Sequence, residues 1–324
     1  MSEIDLQLDS FMLYCDSKHL SRKTLASYNQ TLKLFILYLK DNFKIDDAAK
    51  VKSSHIRHYI QYLRERGKYT VASKEYSKQI NLPENRTDYN KQISDTTIAN
   101  YLRNIKVFFN FLYSEHEIKI NPVDNIKNIK PKRKQKALLS PEEIKKVLNA
   151  FDLTKFHSYR CWVQTRLILD TGIRASECCA LKPDNIDFKT KSILIENPKN
   201  NQERYVFFGF KMSNDLKRWM QYRDRFSDSI YLFPTIRGTK LDVRNFEKTL
   251  RNVGEKVGVN IHPHLLRNNF AKYYLIEGNG DFATLSRILG HSSVDVTMKA
   301  YLDFTDAEIG RKYQSHSPLN NLNL

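Results

Sequence analysis

Three short stretches between His264 and Tyr301 supply two imidazoles, a guanidinium and a phenol, the groups that a metal-free attack on a phosphodiester would need. The stretch reads His264-Leu265-Leu266-Arg267, then Leu289-Gly290-His291-Ser292, then Met298-Lys299-Ala300-Tyr301. A second arginine stands far upstream, in Thr171-Gly172-Ile173-Arg174-Ala175-Ser176-Glu177. A phosphodiester passing through a five-coordinate transition state gathers negative charge on its non-bridging oxygens. Fixed donors aimed at those oxygens stabilise it, each by roughly 3–4 kcal/mol in a preorganised site. Arginine suits the task because its planar fork donates two parallel bonds and stays charged at any working pH. A phenol titrates at about pH 10, and neighbouring guanidinium and imidazolium charges lower that value toward the attacking phenolate.

Each residue alone has a plainer reading. Arg174 is spaced to pair with Glu177 on a helix surface. His291 suits a cap or a core position. Tyr301, one of 18 tyrosines, suits an amphipathic stripe with Val294, Thr297 and Met298. His264 and Arg267 share a helix face, and Pro263 before them marks a helix start, whose positive end also attracts phosphate. Only order and spacing together point to one site.

The elements that must position these residues are mostly helical. Leu25, Tyr28, Leu32, Phe35, Ile36 and Leu39 recur at helical spacing after Ser21-Arg22-Lys23-Thr24, and a second helix is predicted over 53–65. Residues 67–94 read as a loop with a short helix at most. A strong helix follows with Ile98, Leu102, Ile105, Phe108, Phe109 and Leu112, stopping before Asn121-Pro122. Ser140-Pro141-Glu142-Glu143 restarts a helix with a cap and a capping box. Beyond it, helices are expected over 158–169, just after Gly172, and over 213–225, 243–257, 264–277, 281–289 and 293–301. Two strands, 192–196 and 204–208, flank Asn197-Pro198-Lys199-Asn200-Asn201-Gln202. The fold class is therefore mainly α (α+β), with a helical N-terminal domain at 1–125, a linker at 126–138 and a mostly helical domain with a small antiparallel sheet at 139–324.

The chain of 324 residues has 53 Lys+Arg against 36 Asp+Glu, a net charge of +17. That surplus on a folded chain predicts a polyanionic partner, with nucleic acid the default. The densest basic run, Lys127 to Lys136, is a solvated linker and can also act as a strap along a phosphate backbone through Lys130, Lys132, Arg133, Lys134 and Lys136. Four cysteines form no metal spacing and suit buried thiols in a reducing compartment. Signal-peptide features and membrane-length apolar runs are missing, so a cytoplasmic, nucleoid-associated protein with no membrane partner is expected.

Taken together the boxes resemble the tyrosine recombinase (integrase) family. Residues 171–177 look like its Thr-Gly-x-Arg-x-x-Glu box, 263–267 its Pro-His-x-x-Arg box and 289–291 its Leu-Gly-His box, with Tyr301 ten positions after His291. Leu20-Ser21-Arg22-Lys23-Thr24-Leu25 and Asn121-Pro122 resemble the family's core-binding (SAM-like) domain. The resemblance implies a C-shaped clamp around duplex DNA. It makes Tyr301 the nucleophile, forming a 3′-phosphotyrosyl link and releasing a 5′-hydroxyl. Arg174, Arg267 and His291 hold the phosphate, His264 assists proton transfer or phosphate binding, and Glu177 supports the site. Lys199 matches the family's hairpin lysine that protonates the leaving oxygen. The turn reads Pro198-Lys199-Asn200-Asn201 rather than Gly-Lys-Gly-x-Lys, which leaves Lys189 and Lys191 as alternatives. Asn268 stands where many relatives carry histidine, outside the catalytic set.

The resemblance also implies a homo-tetramer on paired DNA sites, exchange through a four-way (Holliday) junction, and accessory factors that bend DNA or direct excision. No cofactor or metal is expected, because the tyrosyl ester stores the bond energy. The function expected is site-specific recombination for a mobile element, by integration and excision. A topoisomerase IB-like or resolving enzyme and a non-catalytic DNA-binding regulator are the alternatives. A metal hydrolase built on His262, His264 and His291 lacks carboxylate or cysteine partners at ligand spacing.

Overall fold

The computed structural model describes residues 2–72, 75–131, 138–196, 203–278 and 280–301, with Gly310 and Tyr313. The chain divides into two compact units, Met1–Lys134 and Gln135–Leu324. Both are mainly helical, and the second holds one small antiparallel sheet. Among the described residues no helix is long and apolar enough to cross a membrane.

The first unit is built from α1 (Glu3–Ser17), α2 (Arg22–Phe43), α3 (Ser53–Glu65), α4 (Glu75–Asn81) and α5 (Asp95–Ser114). Ser21 and Ser94 cap α2 and α5, accepting from the backbone N–H of Thr24 and Thr97. The apolar stripes of α2 and α5 close on each other, with Leu32, Phe35, Ile105 and Phe109 all buried. Phe35 meets Tyr59 of α3 at 4.9 Å between ring centroids, in an edge-on arrangement. Inside this apolar contact, Asn104 of α5 donates to Thr31 Oγ1 (3.1 Å) and Ser27 Oγ (3.2 Å), which fixes the rotation of α5 on α2.

Two differences from the expected elements have local causes. Residues 3–17 carry no expected element, yet they form α1, whose Ile4, Leu8, Phe11 and Cys15 are buried. Their four-three-four spacing is the helical signal. The strong helix expected up to Asn121 ends at Ser114. His116 there adopts the left-handed conformation (φ 59°), and the Glu117 N–H reaches back to the Leu112 carbonyl at 2.9 Å.

The second unit starts with α6 (Pro141–Asn149), closed by the Ser140–Glu143 capping box. Then come α7 (Phe156–Thr171), the short α8 (Ala175–Cys178), the strands β1 (Ile186–Asp187), β2 (Ser192–Ile195) and β3 (Arg204–Phe207), and α9 (Phe210–Arg223). The remaining helices are α10 (Val243–Lys256), α11 (Pro263–Ile276), α12 (Phe282–Leu289) and α13 (Val294–Tyr301). The sheet has three strands rather than the two expected, in the order β1-β2-β3. Two-residue β1, with Ile186 opposite Ile193, is too short to show an alternating pattern. In the second pair Ile195 faces Arg204 and Ser192 faces Phe207.

Helix α7 is the centre of this unit, packing on α9, α10 and α11. Val163, Leu167 and Ile168 are fully buried, as is Trp219 of α9, whose indole N–H donates to the Leu232 carbonyl at 2.8 Å. Asn269 of α11 clasps the backbone of Leu139, accepting from its N–H (3.2 Å) and donating to its carbonyl (2.8 Å). All four cysteines are free and buried.

Candidate active site

Helix α7 ends in a left-handed turn at Gly172 (φ 65°). A β carbon there would be strained and would meet the Phe270 ring at 2.3 Å, so glycine is required twice over. The turn delivers Arg174 to the position ahead of α8. Glu177 accepts from the Arg174 backbone N–H and from its Nη1, both at 2.9 Å. The ion pair suggested by their spacing is therefore present. It does not exhaust the arginine, because Nη2 donates to the Gly290 carbonyl at 2.9 Å and the side chain is 22% exposed.

Arg267 lies on α11, buried, with Nη1 donating to the Gly172 carbonyl and Nη2 to the Leu289 carbonyl at 2.7 Å. A third arginine joins them. Arg204, the first residue of β3, donates from Nε to the Ile288 carbonyl (2.8 Å) and from both terminal nitrogens to Glu177 (3.0 and 2.7 Å). Three consecutive carbonyls at the end of α12, those of Ile288, Leu289 and Gly290, thus each take a different arginine. Helix C-termini present unfilled carbonyls and a partial negative charge, so guanidinium groups collect there. Burial alone would raise the Glu177 carboxyl pKa, but Arg204 and Arg174 hold it below the ordinary glutamate value. Three guanidiniums against one carboxylate leave two positive charges in excess, which suits an anion.

His291 follows Gly290 at the same corner. Its Nδ1 lies 2.7 Å from Thr297 Oγ1 and its Nε2 lies 3.3 Å from Arg267 Nη2. A guanidinium only donates, so Nε2 accepts and the proton sits on Nδ1, facing Thr297. Burial and the charges of Arg267, Arg174, Arg204 and His264 push its pKa from 6.5 down to about 4. His291 is therefore a neutral imidazole at physiological pH rather than the imidazolium expected from the sequence, and the positive charge around it comes from the guanidiniums.

The structure brings together Arg174, Glu177, Arg267 and His291, with exposed His264 on the first turn of α11. Tyr301 is the last residue of α13, which packs against α11 and α12; its side chain lies outside what is described. Lys199 and the linker residues Lys132, Arg133, Lys134 and Lys136 also lie outside the described residues, whereas Lys130 is exposed. Lys189 and Lys191 are exposed between β1 and β2, beyond the Ser192–Phe207 end of the β2–β3 pair and away from Arg204. His262 caps α11, its Nδ1 accepting from the Leu265 N–H at 3.2 Å. Among the described residues no three His, Cys, Asp or Glu groups are placed to hold a metal ion.

Two participants escape sequence reasoning. Thr297 reads as a core residue. Arg204 reads as one more basic residue, although it shares strand parity with buried Val206 while exposed Tyr205 and Phe207 face the other way. A charge on the inward side of a strand requires a buried partner, and that was the available signal.

Residues 137–308 match the model of the Phage integrase family, and residues 8–77 match the phage integrase N-terminal SAM-like domain. The chain belongs to the phage integrase family. Phage integrases are tyrosine recombinases, and this member is accordingly a site-specific recombinase that breaks and rejoins DNA strands. It is 32% identical over 213 residues to tyrosine recombinase XerC of Thermodesulfovibrio yellowstonii, covering 63% of this chain and 70% of that one. Identity to XerC of Oceanobacillus iheyensis is 26% over 332 residues, covering 100% and 99% of the two chains. The fold is shared with the Tn1549 transposon integrase solved with a circular intermediate DNA, at a TM-score of 0.74 and 16% identity, covering 98% and 100%.

Proposed function

We propose that this integrase cuts DNA by attack of the Tyr301 phenolate on a backbone phosphate. The Oη–P bond forms as the P–O5′ bond breaks, leaving a 3′-phosphotyrosyl ester and a 5′-hydroxyl. Attack of another strand's 5′-hydroxyl reverses the step and rejoins the DNA. Arg174 and Arg267 bind the non-bridging oxygens. His291 completes the phosphate cradle, His264 assists at its rim, and Glu177 holds Arg174. Lys199 protonates the leaving oxygen. It lies in the connection that leaves β2 at Ile195 and returns at Arg204, the end of the hairpin that touches the cradle, and this favours it over Lys189 and Lys191.

The observation that carries this reading is the convergence of Arg174, Arg267 and His291 on the end of α12, against which Tyr301's own helix packs. Residues 1–125 and 139–324 then act as DNA-binding and catalytic domains joined by the 126–138 strap, with duplex DNA as partner. Four copies act on two paired sites through a four-way junction, with accessory factors steering the outcome.

A duplex nicked beside the crossover site tests the chemistry. Wild type accumulates a covalent protein–DNA adduct because the cut fragment diffuses away, and Tyr301→Phe gives none. An equal adduct from Tyr301→Phe would remove Tyr301 from its role.

In this reading the reaction serves a mobile element, by integration and excision, as membership of the phage integrase family suggests. A second reading keeps the same tyrosyl chemistry but acts on DNA that bounds no movable segment. Sequencing DNA trapped on the enzyme separates them: paired junctions bounding a movable segment support the first, and a single recurring locus supports the second.

A further inference from the structure

Arg204 belongs to none of the family boxes, yet it touches what the cradle stands on. Each oxygen of Glu177 accepts two bonds: Oε1 from Arg174 Nη1 and Arg204 Nη1, Oε2 from the Arg174 N–H and Arg204 Nη2. The carboxylate's acceptor sites are thereby filled. Without Arg204, two would stand open beside Arg174, and the Arg174 fork would turn to fill them. Arg204 also grips the Ile288 carbonyl, one residue before the carbonyl that holds Arg267 and two before the one that holds Arg174. Gly290 lets it lie there, since a β carbon would sit 2.9 Å from Arg204 Cδ and Nε.

We propose that Arg204 is a positioning residue for strand cleavage: by filling Glu177 and holding the last turn of α12, it fixes the direction in which Arg174 and His291 meet the phosphate. This role rests on the tyrosyl-transfer reading above and adds to it a residue that does not itself contact DNA. The Arg204 side chain is 9% exposed and all three of its nitrogens are engaged, so its loss acts on the rate at saturating DNA and not on affinity. Lysine keeps the charge but cannot span two carboxylate oxygens and a carbonyl.

The test uses the full chain as wild type, Arg204→Lys, Arg204→Ala and Tyr301→Phe. For each, thermal unfolding, duplex affinity and the first-order rate of adduct formation on the nicked duplex are measured. Arg204→Lys is expected to unfold as one cooperative transition and to bind within roughly threefold of wild type, while cleavage falls by roughly 100-fold, the order of effect that a small misplacement produces. A second substrate carries sulfur in place of the bridging 5′ oxygen. A departing thiolate needs no proton, so this substrate relieves a fault in leaving-group protonation but not one in holding the phosphate. A rate deficit of similar size on both substrates supports the positioning role. Wild-type cleavage by Arg204→Lys on the oxygen substrate overturns it, and so does full recovery on the sulfur substrate. Absence of adduct from wild type would instead sink the tyrosyl-transfer reading itself.

Discussion

At neutral pH His291 is an uncharged base among guanidiniums, and this sets both what it can do and how it titrates. Thr297 keeps its proton on Nδ1, which leaves Nε2 as the acceptor toward Arg267. If a phosphate binds there as proposed, its negative charge offsets the guanidiniums and favours the protonated imidazolium, which can donate to it. Without DNA, the unfolded chain titrates His291 at 6.5 and the folded chain at about 4. Between those values the unfolded state binds more protons, so His291 lowers stability as pH falls from 6.5 toward 4 and has no such effect above that window. The thermal midpoint of wild type should therefore drop toward, or further below, that of His291→Gln across this range. Parallel curves for the two proteins would show that the environment of His291 is not the one described.

At the scale of elements, the end of α12 organises the site through its backbone. Gly290 serves two needs there, a left-handed turn (φ 62°) and room for Arg204. Gly258, just after α10, has the same kind of turn (φ 70°), and a β carbon placed on it would have nothing within 4 Å. The two glycines separate backbone strain from crowding. Gly258→Ala should cost about 1–2 kcal/mol of stability from the left-handed conformation alone and leave cleavage unchanged. Gly290→Ala should cost more in chemical unfolding and slow adduct formation as Arg204 is pushed from Ile288. If both variants cleave alike, the close approach of Arg204 to Gly290 has no consequence for the reaction.

For the whole molecule, charge dominates the encounter with DNA. The net +17 and the Lys127–Lys136 run predict affinity that falls steeply with salt. Neutralising Lys132, Arg133 and Lys134 together should weaken binding to every duplex sequence alike. It should also reduce the slope of log affinity against log salt by up to about 0.9 for each phosphate that the protein no longer neutralises. A slope that does not change would make the segment a plain spacer.

Much of this protein is set by short-range patterns that can be read from sequence order. Helical stripes such as Leu32–Phe35–Ile36–Leu39 act over one or two turns, and the Ser140–Glu143 box and the Gly172 turn are complete within a few residues. Even the missed α1 left its spacing in Ile4, Leu8, Phe11 and Cys15. The boxes around Arg174, Arg267 and His291 have an order and spacing that point to phosphoryl transfer before any contact between them is known. Tertiary structure decided what links residues far apart along the chain. Glu177 of α8 and Arg204 of β3 are joined although 27 residues apart, three arginines share the last carbonyls of one helix, and Thr297 became a partner of His291 although its pattern is that of any core threonine. His291 is neutral for the same reason: its titration depends on burial and on charges from β3, α11 and the turn before α8, which only folding brings within reach.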